Sequence, residues 1–331
     1  MAELTGTPGE ALIDARGLSK VYGSGSQRTT AVHEVDLTVR RGELYVLMGL
    51  SGSGKSTVLR MLNRLVEPTT GTVTLDGRDL SDLSDRELRE VRNRRISMVF
   101  QQFALLPHRT VAENAAYGLL LRGISRSAAL AQARESLRLV GLDDWGHARP
   151  SELSGGMKQR VGLARALSTE AEILLMDEPF SALDPLIRRD MQDLLLRLGR
   201  ELGRTVVFVT HDLNEAMRLG DRITILSRGR VAQTGTAAEI LTRPADDYVR
   251  RFTGEVDRTK ILTARDIMHP APAGPLAHPA TTVDAAETLS AIAGRLHGDG
   301  SAAVVEAGRV IGHVSGRAVL TAVGDANEEA A

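Results

Sequence analysis

Five short apolar runs constrain this chain most: LYVLM (44–48), ISMVF (96–100), ILLM (173–176), TVVFV (205–209) and RITIL (222–226). They are almost uninterrupted by polar residues and rich in β-branched side chains. That is the pattern of strands covered on both faces in a parallel sheet, not of a sheet with one wet face. Parallel strands need crossovers, and helical patterns lie between the runs: STVLRMLNRL (56–65), GGMKQRVGLARAL (155–167) and PLIRRDMQDLLLRLGREL (185–202). Strand and helix in alternation predict an α/β fold. AVHEVDLTVR (31–40) and GTVTLDG (71–77) alternate instead, as antiparallel strands of a flanking sheet do. Residues 109–150 break the rhythm and read as a helical insertion, clearest in AALAQARESLRLVGL (128–142).

A chain of 331 residues is long enough for one or two domains with a sizeable core. Its formal net charge of −1 supplies no global attraction to nucleic acid, and an aromatic content of 3% argues against a base-stacking binder. There is no cysteine, which excludes disulfides and thiolate metal sites. The start, MAELTGTPGEALIDARG, has neither a basic segment nor an apolar one and does not read as a secretory signal. No apolar run approaches the ~18 residues that span a bilayer, so a cytoplasmic location is expected, with any membrane contact made through partners. After about residue 257 the composition changes. HPAPAGPLAHPATT (269–282) reads as a linker, the stretch from Asp284 as a helix, AAVVEAGRVIGHVS (302–315) as two strands around a turn, and GRAVLTAV (316–323) as a helix. GDANEEAA reads as a frayed acidic end.

GLSGSGKST (49–57) follows the first run and fits G-x-x-x-x-G-K-[ST] through Gly49, Gly54, Lys55 and Ser56. Glycines let backbone N–H groups turn toward phosphate oxygens without Cβ clashes. Ser51, Gly52 and Ser53 complete the loop. Lys55 brings a point charge to the β- and γ-phosphates, the Ser56 hydroxyl suits Mg²⁺, and Thr57 suits the α-phosphate. A strand before and a helix after make a chance glycine turn a poor explanation. The motif alone leaves kinases, GTPases, helicases and transport motors open. ILLMDEP (173–179) ends a strand in two acids: Asp177 suits the magnesium shell and Glu178 the polarising of a water as general base. LSGGMKQR (153–160) puts Ser154, Gly155 and Gly156 before a helix, a second set of N–H donors facing phosphate. One triphosphate does not need both sets from one chain. A head-to-tail pair of chains, each lending its LSGG to the other's cradle, resolves this.

GLSGSGKST, LSGGMKQR and MDEP together resemble the ATP-binding cassette (ABC) ATPases over residues 11–255. The resemblance implies a P-loop NTPase fold with a parallel core sheet, a flanking antiparallel subdomain and a helical subdomain at about 102–160, within a nucleotide-binding domain at 11–257. It implies ATP and Mg²⁺ as ligands. VFQ (99–101) is similar to the Q-loop, with Gln101 as magnesium and water ligand; SALD (181–184) to the D-loop, with Asp184 facing the second copy. VTHD (209–212) is similar to the switch, with His211 on the γ-phosphate and water, and Tyr22 matches the aromatic that stacks on adenine. Closer still, LNRLVEPTTGTV, DRELREVRNRRISMVFQQFALLPHRTVAEN and FSALDPLIRRDMQDLL resemble the ATP-binding subunits of glycine betaine/L-proline importers. That implies separate permease subunits, an indirect partner in a substrate-binding protein, no nucleic-acid partner, and a place on the cytoplasmic face of the inner membrane. Choline, carnitine, ectoine or an amino acid remain alternative substrates, and a soluble ABC ATPase acting on another macromolecule remains an alternative function. FALLPH (103–108) would contribute to the permease contact, or only pack the helical subdomain. Arg92, Arg94 and Arg95 read as a solvated basic face. Residues 263–324, within a linker and tail at 258–331, resemble a single CBS module through DIM (266–268), the helix from Asp284, AAVV (302–305) and VIGHVS (310–315). In related importers such tails tune transport to ionic strength. The family's aspartate three residues after Ser315 is replaced by Ala318, which puts nucleotide binding in the tail in doubt; dimerisation alone is the other role.

Overall fold

A computed structural model describes residues 9–101, 104–181, 183–270, 281–296 and 300–324. They form two compact units that divide between Val231 and Ala232, whereas the compositional change comes near residue 257.

The first unit carries two sheets. Strands β1 (Ala11–Tyr22), β2 (Thr29–Arg40), β4 (Thr70–Leu75) and β5 (Arg78–Asp79) make a sheet of order β2-β1-β4-β5, antiparallel throughout. Strands β3 (Leu44–Met48), β6 (Ile96–Val99), β7 (Ile173–Asp177), β8 (Thr205–Thr210), β9 (Arg222–Ser227) and β10 (Arg230–Gly235), within which the division falls, make the second, of order β10-β9-β3-β8-β7-β6. The pairs β3–β8, β3–β9, β7–β8 and β6–β7 are parallel. Every residue of β3, β7 and β8 is buried, which is why these strands read as continuous apolar runs.

Helices α1 (Lys55–Met61), α2 (Asp85–Arg94), α3 (Val111–Leu121), α4 (Arg126–Leu139), α5 (Gly155–Ser168), α6 (Pro185–Leu202) and α7 (Leu213–Leu219) complete this unit. Local chemistry sets several of their ends. Thr110 and Glu113 form a capping box on α3, and Ser84 and Glu87 do so on α2. Asp184 caps α6, Pro185 opens it, and Gly203 closes it in the left-handed conformation. Helix α1 stops well before the expected residue 65. Arg64 takes a left-handed φ of 52°, and Arg92 of α2 donates to the freed carbonyls of Asn63 and Arg64.

The solvated reading of Arg92, Arg94 and Arg95 is therefore corrected for two of the three. Arg95 pairs with Asp76 at 2.6 Å and with Glu172 at 2.5 Å, and Arg41, only 7% exposed, pairs with the same two acids. This network ties the β4–β5 turn of the antiparallel sheet to the edge of the parallel one. Arg94 alone stays in solvent, beside Glu90.

The second unit holds α8 (Ala237–Thr242), α9 (Asp247–Phe252), α10 (Arg258–Ile261), α11 (Ala264–Ile267), α12 (Leu289–Ile292) and α13 (Gly316–Gly324). Its sheet has order β11-β14-β13-β12, from β11 (His269–Pro270), β12 (Thr282–Asp284), β13 (Ser301–Glu306) and β14 (Arg309–Ser315). The helix expected from Asp284 begins only at Leu289, because residues 282–284 are spent on a parallel pairing with Ala303–Val305. Ala307 and Gly308, both at positive φ, make the tight turn between β13 and β14. Ser315 caps α13, its Oγ accepting from the Ala318 N–H at 3.1 Å. Most of the linker read at 269–282 lies outside the described residues. Among the described residues, no helix is long and apolar enough to cross a membrane.

Candidate functional site

The C-terminal end of the parallel sheet gathers the chemistry. Strand β3 runs into the loop 49–54, and two glycines there are indispensable. A Cβ on Gly49 would lie 2.2 Å from the Leu226 carbonyl oxygen, and one on Gly54, at φ 97°, 2.6 Å from that of Ala31. Ser51 and Gly52 are exposed, Thr57 is half-buried, and Ser53 is buried with no hydrogen-bond partner for its Oγ. A buried hydroxyl without a partner is costly, and it fits a site built to meet a ligand oxygen. Lys55 is 4% exposed; its ammonium donates to the carbonyls of Gly49 (2.8 Å) and Leu50 (3.0 Å) and lies 3.8 Å from Glu178. Burial lowers the Lys55 pKa, while the charges of Glu178 and Asp177 oppose that fall.

Strand β7 delivers both acids. Asp177 is 1% exposed and accepts from the Ser56 hydroxyl at 2.7 Å and from Arg60 at 3.1 Å. The hydroxyl and carboxylate expected to share a metal therefore already touch. No group of three or more His, Asp or Glu placed to hold a metal ion is present among the described residues. One carboxylate and one hydroxyl suit Mg²⁺, which takes few protein ligands and completes its shell with phosphate and water.

Glu178 sits at a φ of 45°, a left-handed backbone rare for a side chain of this size, and its N–H donates to Val209 of β8. From there its carboxylate is the meeting point of the site. Gln101 Nε2 donates to Oε2 at 3.3 Å, and His211 Nδ1 lies 3.0 Å from the same oxygen. Gln101 follows β6 and His211 follows β8, the two strands that flank β7. Neighbouring parallel strands thus bring together residues 77 and 33 positions from Glu178.

The remaining predicted residues stand elsewhere. Ser154 caps α5, its Oγ accepting from Met157 N–H at 3.3 Å, with Gly155 opening the helix. A Cβ on Gly156 would meet Ile187 of α6 at 3.4 Å and Leu183 of the SALD motif at 3.6 Å. Asp184 Oδ1 accepts from the N–H groups of Leu186 and Ile187. Ala182 of that motif lies outside the described residues. Tyr22 is 44% exposed at the end of β1, with the Lys20 ammonium 5.2 Å from its ring centre. A groove of about 270 Å³ runs between β6 and the helices beside it, lined by Phe100, Ala104, Tyr117, Gly118 and Arg165; Phe103 of FALLPH lies outside the described residues. The second unit has a cavity of about 440 Å³ lined by Arg258, His269, Ser315, Arg317 and Ala318.

Sequence reading missed Arg60, although it follows Ser56 by four positions on α1, the spacing that shares a helix face. It also missed the polar residues behind His211. Thr210 Oγ1 donates to Glu215 at 2.7 Å, and Gln192 does so at 3.1 Å. Glu215 is 5% exposed, and its burial raises its pKa.

Comparison with known proteins agrees with this arrangement. The ABC transporter family model matches residues 32–181. The glycine betaine transport ATP-binding protein OpuAA of Bacillus subtilis strain 168 is 56% identical over 240 residues, covering 72% of this chain and 57% of that protein. The glycine betaine/proline betaine transport system ATP-binding protein ProV of Salmonella typhimurium strain LT2 is 52% identical over 282 residues, covering 79% of this chain and 70% of that protein. Among solved structures, a dimeric ATP-binding cassette in a post-hydrolysis state bound to ADP and Pi superposes with a TM-score of 0.64 at 37% identity, covering 68% of this chain and 99% of that one. With a parallel sheet that sets Gln101, Glu178 and His211 around the glycine loop, the chain belongs to the ABC transporter family of ATP-binding proteins.

Proposed function

We propose that this chain is the ATP-hydrolysing subunit that powers import of a quaternary amine osmolyte, of the glycine betaine/proline betaine class, through separate permease subunits. The observation that carries the hydrolytic part is the convergence of Gln101 and His211 on one oxygen of Glu178, beside Lys55. A carboxylate so held polarises a water as general base, while His211 and Gln101 orient that water toward the γ-phosphate. The N–H groups of 49–57 cradle the phosphates, Lys55 turns from its own loop carbonyls to the β- and γ-oxygens, and Tyr22 stacks on adenine. Ser56, Asp177 and Gln101 would hold Mg²⁺. Held there, Mg²⁺ would supply positive charge against the charge that develops on the phosphates.

The start of α5 is a second phosphate-facing nest, and it acts on a nucleotide held by another copy. Ser154, Gly155 and Gly156 of each chain close over the cradle of the other, with Asp184 at the same junction. ATP draws the copies together through its γ-phosphate, and hydrolysis releases them. Residues 11–257 form the nucleotide-binding domain in this reading, with the helices of about 102–160 as its permease-facing part. The groove beside Phe100, together with 103–108, receives the permease and holds the protein at the cytoplasmic face of the inner membrane. Residues 258–331 form a linker and a CBS-like module that tunes transport to ionic strength. Ala318 supplies no carboxylate for a ribose.

The relatives named for glycine betaine transport support the substrate class. The test is reconstitution with the permease and binding protein encoded by neighbouring genes. Labelled glycine betaine uptake that requires ATP, and competition by choline, carnitine or ectoine, rank the substrates. ATPase stimulation by nucleic acid instead of permease would favour a soluble ABC ATPase.

A further inference from the structure

Arg188, on the first turn of α6, touches three segments. Its Nη2 donates to the Leu183 carbonyl at 3.1 Å, in the segment that precedes α6. Its Nη1 donates to Asp212 Oδ2 at 3.2 Å, in the segment that carries His211. Its Nε lies 3.9 Å from the buried Glu215 carboxylate on α7. Asp212 spends its other oxygen on the N–H groups of Asn214 and Glu215, so the Arg188 contact and the α7 cap compete for nothing. Thr210, on the other side of His211, receives the Asp212 N–H at 2.9 Å and donates to Glu215. The residues on both sides of His211 are thus fastened to two carboxylates, those of Asp212 and Glu215, that face one guanidinium. A charge-assisted bond of this kind is short-ranged and directional, and the planar fork of Arg fixes its acceptors in a set geometry that the rotatable ammonium of Lys does not.

We propose that Arg188 is a positioning residue for hydrolysis: it transmits the placement of the Leu183–Asp184 segment, which meets the second copy, to the imidazole of His211. This rests on the function proposed above. When the second copy orders that segment, Arg188 draws Asp212 with it, and His211 comes to its working place against Glu178 and the water. Hydrolysis is thereby linked to a closed pair of copies, through a residue that touches neither nucleotide nor metal.

The test uses the full chain with Arg188→Met, Arg188→Lys and Asp212→Asn, and Arg189→Met as an exposed control on the same helix. Phosphate release, affinity for a fluorescent ATP analogue and thermal unfolding are measured for each. Misplacement of a reacting group by about 1 Å costs up to ~100-fold in rate, so Arg188→Met is expected to lower kcat by about 10- to 100-fold with ATP affinity unchanged. Arg188→Lys should recover only part, and Arg188→Met/Asp212→Asn should cost no more than the larger single change. Arg189→Met should match wild type. Wild-type kcat in Arg188→Met, or additive losses in the double variant, overturns the inference. Should Arg188→Met not fold, Asp212→Asn alone decides: unchanged kcat overturns it. A wild-type chain that neither binds nor hydrolyses ATP would instead refute the underlying function.

Discussion

Replacing Glu178 by glutamine separates binding from chemistry, and the structure sets the sign of each effect. Glutamine keeps the length and an acceptor oxygen for Gln101 but removes charge and basicity. At the 3.8 Å that separate Lys55 from Glu178, two unit charges attract by about 4 kcal/mol at an effective dielectric of ~20. That attraction competes with the phosphates for Lys55, and the carboxylate itself repels them. Removing it is expected to leave ATP affinity unchanged or raised. A positioned general base contributes about 10²- to 10⁴-fold, or about 3–5 kcal/mol of barrier, so kcat should fall by that factor. The assay pairs phosphate release at saturating ATP and Mg²⁺ with size-exclusion chromatography, where Glu178→Gln should accumulate as an ATP-bound dimer. Hydrolysis at the wild-type rate by the folded variant would refute the role of Glu178 as base.

Gly54→Ala forces a Cβ to 2.6 Å from the Ala31 carbonyl at a φ of 97°; strain of about 1–3 kcal/mol should lower the melting temperature and weaken ATP binding, both absent if the loop relaxes freely. The raised pKa of Glu215 means that the folded state keeps its proton above the ordinary 4.5 at which the unfolded state loses it. Stability should therefore decline as pH rises through the window above 4.5. Glu215→Gln should flatten that decline, read as the pH dependence of the melting temperature; an unchanged slope contradicts it. Deleting residues 263–331 should leave ATP hydrolysis intact and abolish the dependence of reconstituted transport on salt; unchanged salt dependence discards the sensor role.

The parallel strands were legible because burial on both faces is written directly into LYVLM, ILLM and TVVFV. The glycine loop was legible because its geometry admits few other residues. What the sequence concealed was set by distant partners. Past the end of helix α1 the chain turns where Arg92, 29 positions from Asn63, donates to the Asn63 carbonyl. Arg95 looked solvated because its acid Glu172 lies 77 residues away. Asp284 reads as the start of a helix and Thr282 as linker, since only the parallel pairing with β13 makes residues 282–284 a strand. In the site, residue types were readable one by one. The left-handed backbone of Glu178 and the shared oxygen that gathers Gln101 and His211 were not, for they arise from the order of three strands.

Mixing two disabled chains tests the shared site most directly. Lys55→Ala spoils a cradle and Ser154→Arg spoils a nest, and each variant alone should be inactive. In a two-fold pair that combines them, one site holds both lesions and the other holds none. A one-to-one mixture should therefore recover about a quarter of wild-type ATPase activity, since about half the pairs are mixed and each keeps one intact site. Mixed pairs that form in the presence of ATP yet stay inactive would mean that no nucleotide is clamped between two copies.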